Sequence, residues 1–238
     1  MTKRVKKRFT SDVKVIDFQP YLPQKKRRVS LHARNANQKE YLRKLQDEDT
    51  NIVLAIGPAG TGKTMLAVQH GIKLFQDGVV DKIVVTRPAV SVDEDLGFLP
   101  GDLNEKMAPW TRPIFDVFLE YYQQKDITKM LEEGVIEISP LAYMRGRTFK
   151  NAYIIADECQ NTTVNQMKML LTRLGEGSKM VVTGDLAQAD RMNDNGLIDF
   201  CNLLAGKQLK YVDIIEFDHR DIERHNAVKE ILSIYGDS

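Results

Sequence analysis

Residues Asn51–Thr64 read NIVLAIGPAGTGKT, an apolar run that ends in a glycine-rich loop. The run has the Val/Ile/Leu content of a strand covered on both faces. The loop satisfies G-x-x-x-x-G-K-[ST] with Gly57, Gly62, Lys63 and Thr64. Its glycines let the backbone curl so that N–H groups face phosphate oxygens, and the N-terminus of the helix expected over Met65–Gln76 adds the positive end of its dipole. The binding set is therefore Gly57, Pro58, Ala59, Gly60, Thr61, Gly62, Lys63, Thr64 and Met65. Lys63 is expected to reach the β- and γ-phosphates of ATP, and the Thr64 hydroxyl to serve Mg²⁺.

Working outward, the same type of run recurs at Lys82–Thr86, Val135–Ser139, Ala152–Ala156, Lys179–Thr183 and Val212–Phe217. Helical patterns lie between these runs, which predicts an α/β fold with a mostly parallel sheet and helices on both faces. Ile114, Phe115, Val117, Phe118, Tyr121 and Tyr122 repeat as one apolar helix face and are read as core. Arg220–Tyr235 reads as a final helix, with Ile222, Val228, Ile231 and Leu232 as candidate buried positions. The stretch Arg87–Arg112 is the least periodic, is rich in Pro and Gly, and is expected to be irregular.

Two further strand ends carry chemistry. The run AYIIA leads into Asp157-Glu158-Cys159-Gln160. An acid at the end of an apolar strand can hold the Mg²⁺ shell, the role expected of Asp157. A second carboxylate beside it, Glu158, can orient and deprotonate an attacking water. That glutamate argues for hydrolysis rather than transfer to a substrate hydroxyl, and against a binding module that never turns over. The third strand end reads Thr183-Gly184-Asp185-Leu186-Ala187-Gln188. A plain turn accounts for it equally well in isolation; as the third strand end in order, Gln188 becomes the candidate reporter of the γ-phosphate.

Composition bounds the rest. A chain of 238 residues, 42% hydrophobic and 28% charged, fits one well-buried domain with a small appendage. No apolar run approaches the length of a membrane span, and no secretory signal is expected. Cys159 and Cys201 show no metal-ligand spacing, so a reduced, cytoplasmic protein without membrane association is expected. Charge is unevenly spread. Residues 1–28 hold ten Lys/Arg against Asp12 and Asp17, a net +8, whereas residues 29–238 hold 24 basic and 31 acidic residues, a net −7. A basic arm over 1–28 on a mildly acidic domain over 29–238 suits contact with a polyanion, and equally a solubilising tail.

GPAGTGKT, TRP at Thr86–Pro88, LGFLPGDLNEKMAPW at Leu96–Trp110, RGRTF at Arg145–Phe149, DECQNTT at Asp157–Thr163, TRLGEGSKMVVTGD at Thr172–Asp185 and Arg224-His225 together resemble the PhoH-like ATPases. These are single-core, RecA-like relatives of superfamily 1 helicases. The likeness covers about residues 35–238. It implies ATP hydrolysis with Mg²⁺, a link to RNA, expected to be single-stranded, and homo-oligomeric rings, most simply of six. It also implies adenine recognition by Gln38, although an ordinary helix-start residue would read the same. Cys159 stands where alanine is commoner in that family.

Superfamily 1 helicases use two cores per chain, and only one P-loop is present here, so a complete motor would need a neighbouring subunit. An arginine that stabilises γ-phosphate charge, often supplied in trans, is expected from Arg224 first and Arg220 second, with Arg145 and Arg147 as further candidates. Each could instead make a surface ion pair. The sequence thus supports an ATP-driven RNA-remodelling protein, with an ATP-driven switch acting on a nuclease or a ribosome-assembly factor as the alternative.

Overall fold

In the computed structural model the described residues are 27–88, 103–189, 194–224 and 226–235. Six strands form one parallel sheet: β1 (Ile52–Ile56), β2 (Lys82–Thr86), β3 (Ile136–Ile138), β4 (Ala152–Ala156), β5 (Lys179–Gly184) and β6 (Val212–Glu216), in the order β3-β2-β4-β5-β1-β6. Each predicted strand is present, shifted by at most a residue at its ends. The strands are apolar on both sides because side chains alternate between two cores. Val53, Ala55, Ile83, Val85, Tyr153, Ile155 and Val181 face one layer of helices. Ile52, Leu54, Ile56, Val84, Ile154, Met180 and Val182 belong to the other core.

The first layer consists of α1 (Ala36–Gln46), α2 (Lys63–Gln76), α3 (Leu103–Leu119) and α4 (Gln124–Glu132), which contribute Tyr41, Leu66, Ile114, Phe118 and Ile127 to the core. The second is thinner. A single turn at Leu141–Met144, α5 (Val164–Leu171) and α6 (Gly196–Leu204) supply Leu141, Met144, Met167, Leu170 and Leu197. Thr163 caps α5 with a reciprocal capping box to Gln166. Among the described residues no helix is long and apolar enough to cross a membrane.

Three expectations change. The predicted aromatic face is core, but α3 stops at Leu119, and Tyr121 and Tyr122 sit in the turn beyond it. Of the stretch 87–112, residues 89–102 lie outside the described residues, and from Leu103 onward it is helical rather than irregular. The final helix does not start at Arg220. Asp218 and Asp221 cap each other across a single turn, His219–Asp221, an extended stretch follows, and α7 spans Asn226–Tyr235. Val228 is 40% and Ile231 52% exposed, so these two are surface positions, and Ile222 is only partly buried. Apolar spacing marked an amphipathic helix there, but nothing in the sequence fixes whether its apolar face meets this chain's own core.

The phosphate-loop helix is tied to the sheet by a buried polar contact: His70 Nδ1 lies 3.2 Å from the Tyr153 hydroxyl, with both residues buried. Burial, reinforced by the charges of Lys179 and Lys73, pushes the His70 imidazole down to about 3. The unfolded chain takes up that proton below about pH 6.5, so it binds more protons than the folded state, and stability falls as pH drops from 6.5 toward 3. His70→Gln is expected to flatten the slope of unfolding free energy between pH 6.5 and 5. An NMR titration should show the wild-type imidazole neutral throughout that window; protonation of the folded protein near pH 6.5 would refute the assignment.

Candidate phosphate-binding and catalytic site

All strands run the same way, so their C-terminal ends open on one edge of the sheet, and the loops leaving β1, β4 and β5 meet there. The first loop begins by grazing another strand end. Gly57 N–H donates to Gly184 O at 3.0 Å, and a Cβ on Gly57 would stand 2.4 Å from Phe217 O, so no larger residue fits without moving β6. The loop then passes into α2. Lys63 Nζ donates to Gly57 O and Pro58 O, both at 2.7 Å, and lies 3.3 Å from Thr61 Oγ1. Burial lowers the Lys63 ammonium from its ordinary value, opposed by the nearby carboxylates of Asp185, Glu158 and Asp157.

Thr64 and Asp157, 93 residues apart in sequence, are in direct contact: Thr64 Oγ1 donates to Asp157 Oδ1 at 2.7 Å. Thr183 Oγ1, from the end of β5, donates to the same oxygen at 2.6 Å. Arg87, leaving β2, holds Trp110 O at 3.0 Å and lies 4.0 Å from the other carboxylate oxygen of Asp157. Hydroxyl and carboxylate oxygens are the donors a hard divalent cation takes, and Mg²⁺ characteristically combines one or two protein carboxylates with substrate phosphates. Thr64 and Asp157 could hold it on those terms.

Glu158 sits at φ 55° and ψ 41°, left-handed backbone that costs a non-glycine residue about 1–3 kcal/mol. Glu158 lines a cavity of about 240 Å³ together with Ala59, Gly60, Gly62, Lys63, Thr64, Met65, Asp185 and Gln188. Gln188 lies in the exposed single turn Leu186–Gln188, whose first residue follows the capping carboxylate of Asp185. Cys159 points away from this cavity. Its Sγ lies 3.4 Å from Ala156 O, and burial raises the thiol far above its usual range, so it stays protonated.

Sequence reading missed what positions these groups. Gln160, buried two residues after Glu158, donates its amide to Glu158 Oε2, accepts from Asp185 N–H at 3.2 Å, and offers its backbone carbonyl to Asn195 Nδ2 at 2.6 Å. It therefore ties the carboxylate at the end of β4 to the end of β5. Its place inside DECQ was the available signal.

The remaining candidates fall in different places. Gln38 is fully buried beneath the loop: Nε2 donates to Thr61 O at 3.0 Å and Oε1 accepts from Arg34 N–H at 2.8 Å, so both ends of its amide are engaged within the chain. Arg224 lies against the loop of its own chain, and a Cβ on Gly60 would stand 3.1 Å from its Nε. Arg220 points outward and pairs with Asp218. Arg147 pairs with Glu137 and stacks on Phe149. Glu137 belongs to edge strand β3, four strands from β1 and so roughly 19 Å across the sheet from the loop. Arg145 is exposed beside it. His225 and most of LGFLPGDLNEK lie outside the described residues.

A glycine loop folded between a buried parallel strand and its helix, with a carboxylate held to the loop's own threonine, defines a P-loop nucleotide-binding protein of the RecA-like α/β class. The chain belongs to the PhoH-like protein family, whose model matches residues 30–236. It is 46% identical over 208 residues to a PhoH-like protein of Bacillus subtilis, covering 87% of this chain and 64% of that protein. It is 44% identical over 207 residues to a PhoH-like protein of Synechocystis, covering 86% and 62%. With Protein PhoH of Escherichia coli it shares 41% identity over 213 residues, covering 85% and 57%. The chain thus spans about six tenths of the length of these curated relatives.

Lys63 is the cation that the glycine loop itself carries, against Gly57 O and Pro58 O, and a hydrogen bond to a charged group is worth about 1.5–3 kcal/mol. Lys63→Ala is therefore expected to weaken nucleotide binding about 10- to 100-fold, read by titration with a fluorescent nucleotide. Unchanged affinity in a folded variant would remove Lys63 from the site.

Proposed function

We propose that the chain is an Mg²⁺-dependent ATP hydrolase whose turnover is coupled to binding and remodelling of single-stranded RNA, working as a ring-shaped homo-oligomer, most simply a hexamer. The observation that carries hydrolysis is Glu158. It lines the same cavity as Lys63, Thr64 and Gln188, and Gln160 braces its carboxylate.

In this reading Thr64 and Asp157 would hold Mg²⁺, which would supply positive charge to offset that of the phosphates. Lys63 turns from the loop carbonyls to the phosphate oxygens. Glu158 accepts a proton from water as the water oxygen bonds to the γ-phosphorus. The bond from that phosphorus to the bridging oxygen breaks, and ADP leaves with the electron pair. Gln188, in the short turn after β5, registers loss of the γ-phosphate. Glu158→Gln keeps the shape of the site and removes the base. ATP should still bind while hydrolysis falls by a factor on the order of 10²–10⁴; joint loss of binding and turnover would reassign Glu158 to a structural or metal-holding role.

The RNA part rests on family membership and on the net +8 of residues 1–28. Where the arm meets the domain, Val29 N–H donates to Gln76 Oε1 at 3.1 Å and Gln76 Nε2 donates to Arg27 O at 3.2 Å. Gln76 ends the 14-residue α2, so this anchor stands about 20 Å along the helix from Lys63. Deleting residues 1–26 is expected to weaken single-stranded RNA binding and to reduce its salt slope by about 0.7 per lost phosphate contact, leaving basal turnover intact. Turnover indifferent to RNA, together with nucleotide-dependent affinity for a protein partner, would favour the switch reading.

A further inference from the structure

We propose that Arg224 is a nucleotide-binding residue of its own chain, that it serves the nucleoside and α-phosphate half of the ligand rather than the γ-phosphate, and that a latch between α1 and Asp221 holds it in place. The sheet order separates the two sides of the loop. On one side of β1 lie β5 and then β4, whose ends carry Asp185, Asp157 and Glu158; on the other lies β6, followed by residues 217–224. Metal, water and γ-phosphate belong with the acids. A triphosphate laid along the loop from that side carries its α-phosphate and nucleoside toward β6.

There the chain is clipped to the loop. Glu223 N–H donates to Gly60 O at 3.0 Å, and a Cβ on Gly60 would meet Arg224 Nε at 3.1 Å and Ile222 Cγ2 at 3.4 Å. Gly60 has φ +86°, so this limb needs glycine for its backbone as well as for the approach of Arg224.

The clip has its own support. Asp221 is 6% exposed; its Oδ2 accepts from Asn37 Nδ2 at 2.8 Å and from Asp218 N–H at 2.9 Å, and its backbone carbonyl accepts from Asn35 Nδ2 at 3.2 Å. Asn35 is also the N-cap of α1, its Oδ1 accepting from Gln38 N–H. One residue beyond Asn37, Gln38 donates to Thr61 O in the loop. The outer limb, Gly60–Gly62, is thus gripped from two sides by groups that the N-terminus of α1 positions. Asn35 and Asn37 are positioning residues, and Arg224 is the group that meets ligand.

This inference rests on nucleotide binding at the loop and not on hydrolysis, so its test is binding. ATP and ADP affinities are measured by calorimetry for the wild-type chain, Arg224→Ala, Arg224→Lys and Asn37→Ala. Thermal unfolding without nucleotide identifies any variant that fails to fold, in which case Arg224→Lys replaces Arg224→Ala. Arg224→Ala should weaken ATP and ADP by the same factor, about 10- to 100-fold. Arg224→Lys should retain part of the affinity, and Asn37→Ala should weaken both nucleotides equally but less. Mixing Arg224→Ala with Lys63→Ala chains should restore no high-affinity site, because each intact site needs both residues in one chain. Unchanged affinities, a loss confined to ATP, or recovery of binding on mixing would each overturn the assignment: the second would make Arg224 a γ-phosphate residue, and the third would have it supplied by a neighbour. Failure of the Glu158→Gln hydrolysis test with these affinities as expected would reassign Glu158 and leave this inference standing.

Discussion

Asp157 Oδ1 accepts two hydroxyl hydrogen bonds, from Thr64 and from Thr183, and the geometry of the site follows from that sharing. The three residues stand at the ends of three structural units: the start of α2, the loop after β4 and the end of β5. One carboxylate oxygen thereby sets how far the phosphate loop stands from the two neighbouring strands. Asp157 is 3% exposed, so these hydrogen bonds are formed with little competition from water, and a buried carboxylate without such donors would be costly. The bonds are also the ones a divalent cation would have to share or displace.

A second layer of constraint follows. Glu158 occupies left-handed backbone immediately after the fixed aspartate, and Gln160 holds its carboxylate while accepting from Asp185 N–H. A displacement of the β5 end, where Gln188 sits, therefore acts on the orientation of Glu158 through one side chain. Strain at one residue is tolerated because the Thr163 capping box and the Asn195 cap anchor the helices that follow both strand ends.

Much of this was legible in the sequence, for identifiable reasons. Strands buried on both faces appear as continuous Val/Ile runs, and a sheet built by parallel crossovers puts all their functional ends on one edge. GPAGTGKT, Asp157-Glu158 and Gln188 could be found as strand-end motifs without coordinates. What escaped was of another kind. Gln160, Asn35, Asn37 and Asp221 act by hydrogen bonds between segments as much as 186 residues apart, and no periodicity records such pairings. Val228 and Ile231 failed for the converse reason: spacing reports that a helix has an apolar face, not what that face meets. The arginines illustrate a third limit. Charge and position after the last strand were visible for Arg220 and Arg224 alike. Only the fold separates one that Asp218 turns outward from one that lies on Gly60.

That separation bears on how a single core can bind nucleotide. By sequence alone the lone core is incomplete and needs a cation from a neighbour. In the folded chain the stretch after β6 returns to the loop, fastened by Asp221 to the first turn of α1, so both limbs of the loop are braced within one chain: the inner by Asp157 and the outer by Gln38 and Glu223. Residues preceding α1 pack Val29 and Leu31 against the same core as α2. The described segment before α1 thus links the phosphate loop, through α1, to Arg27 and Val29, whose backbones bond Gln76 about 20 Å away at the other end of α2.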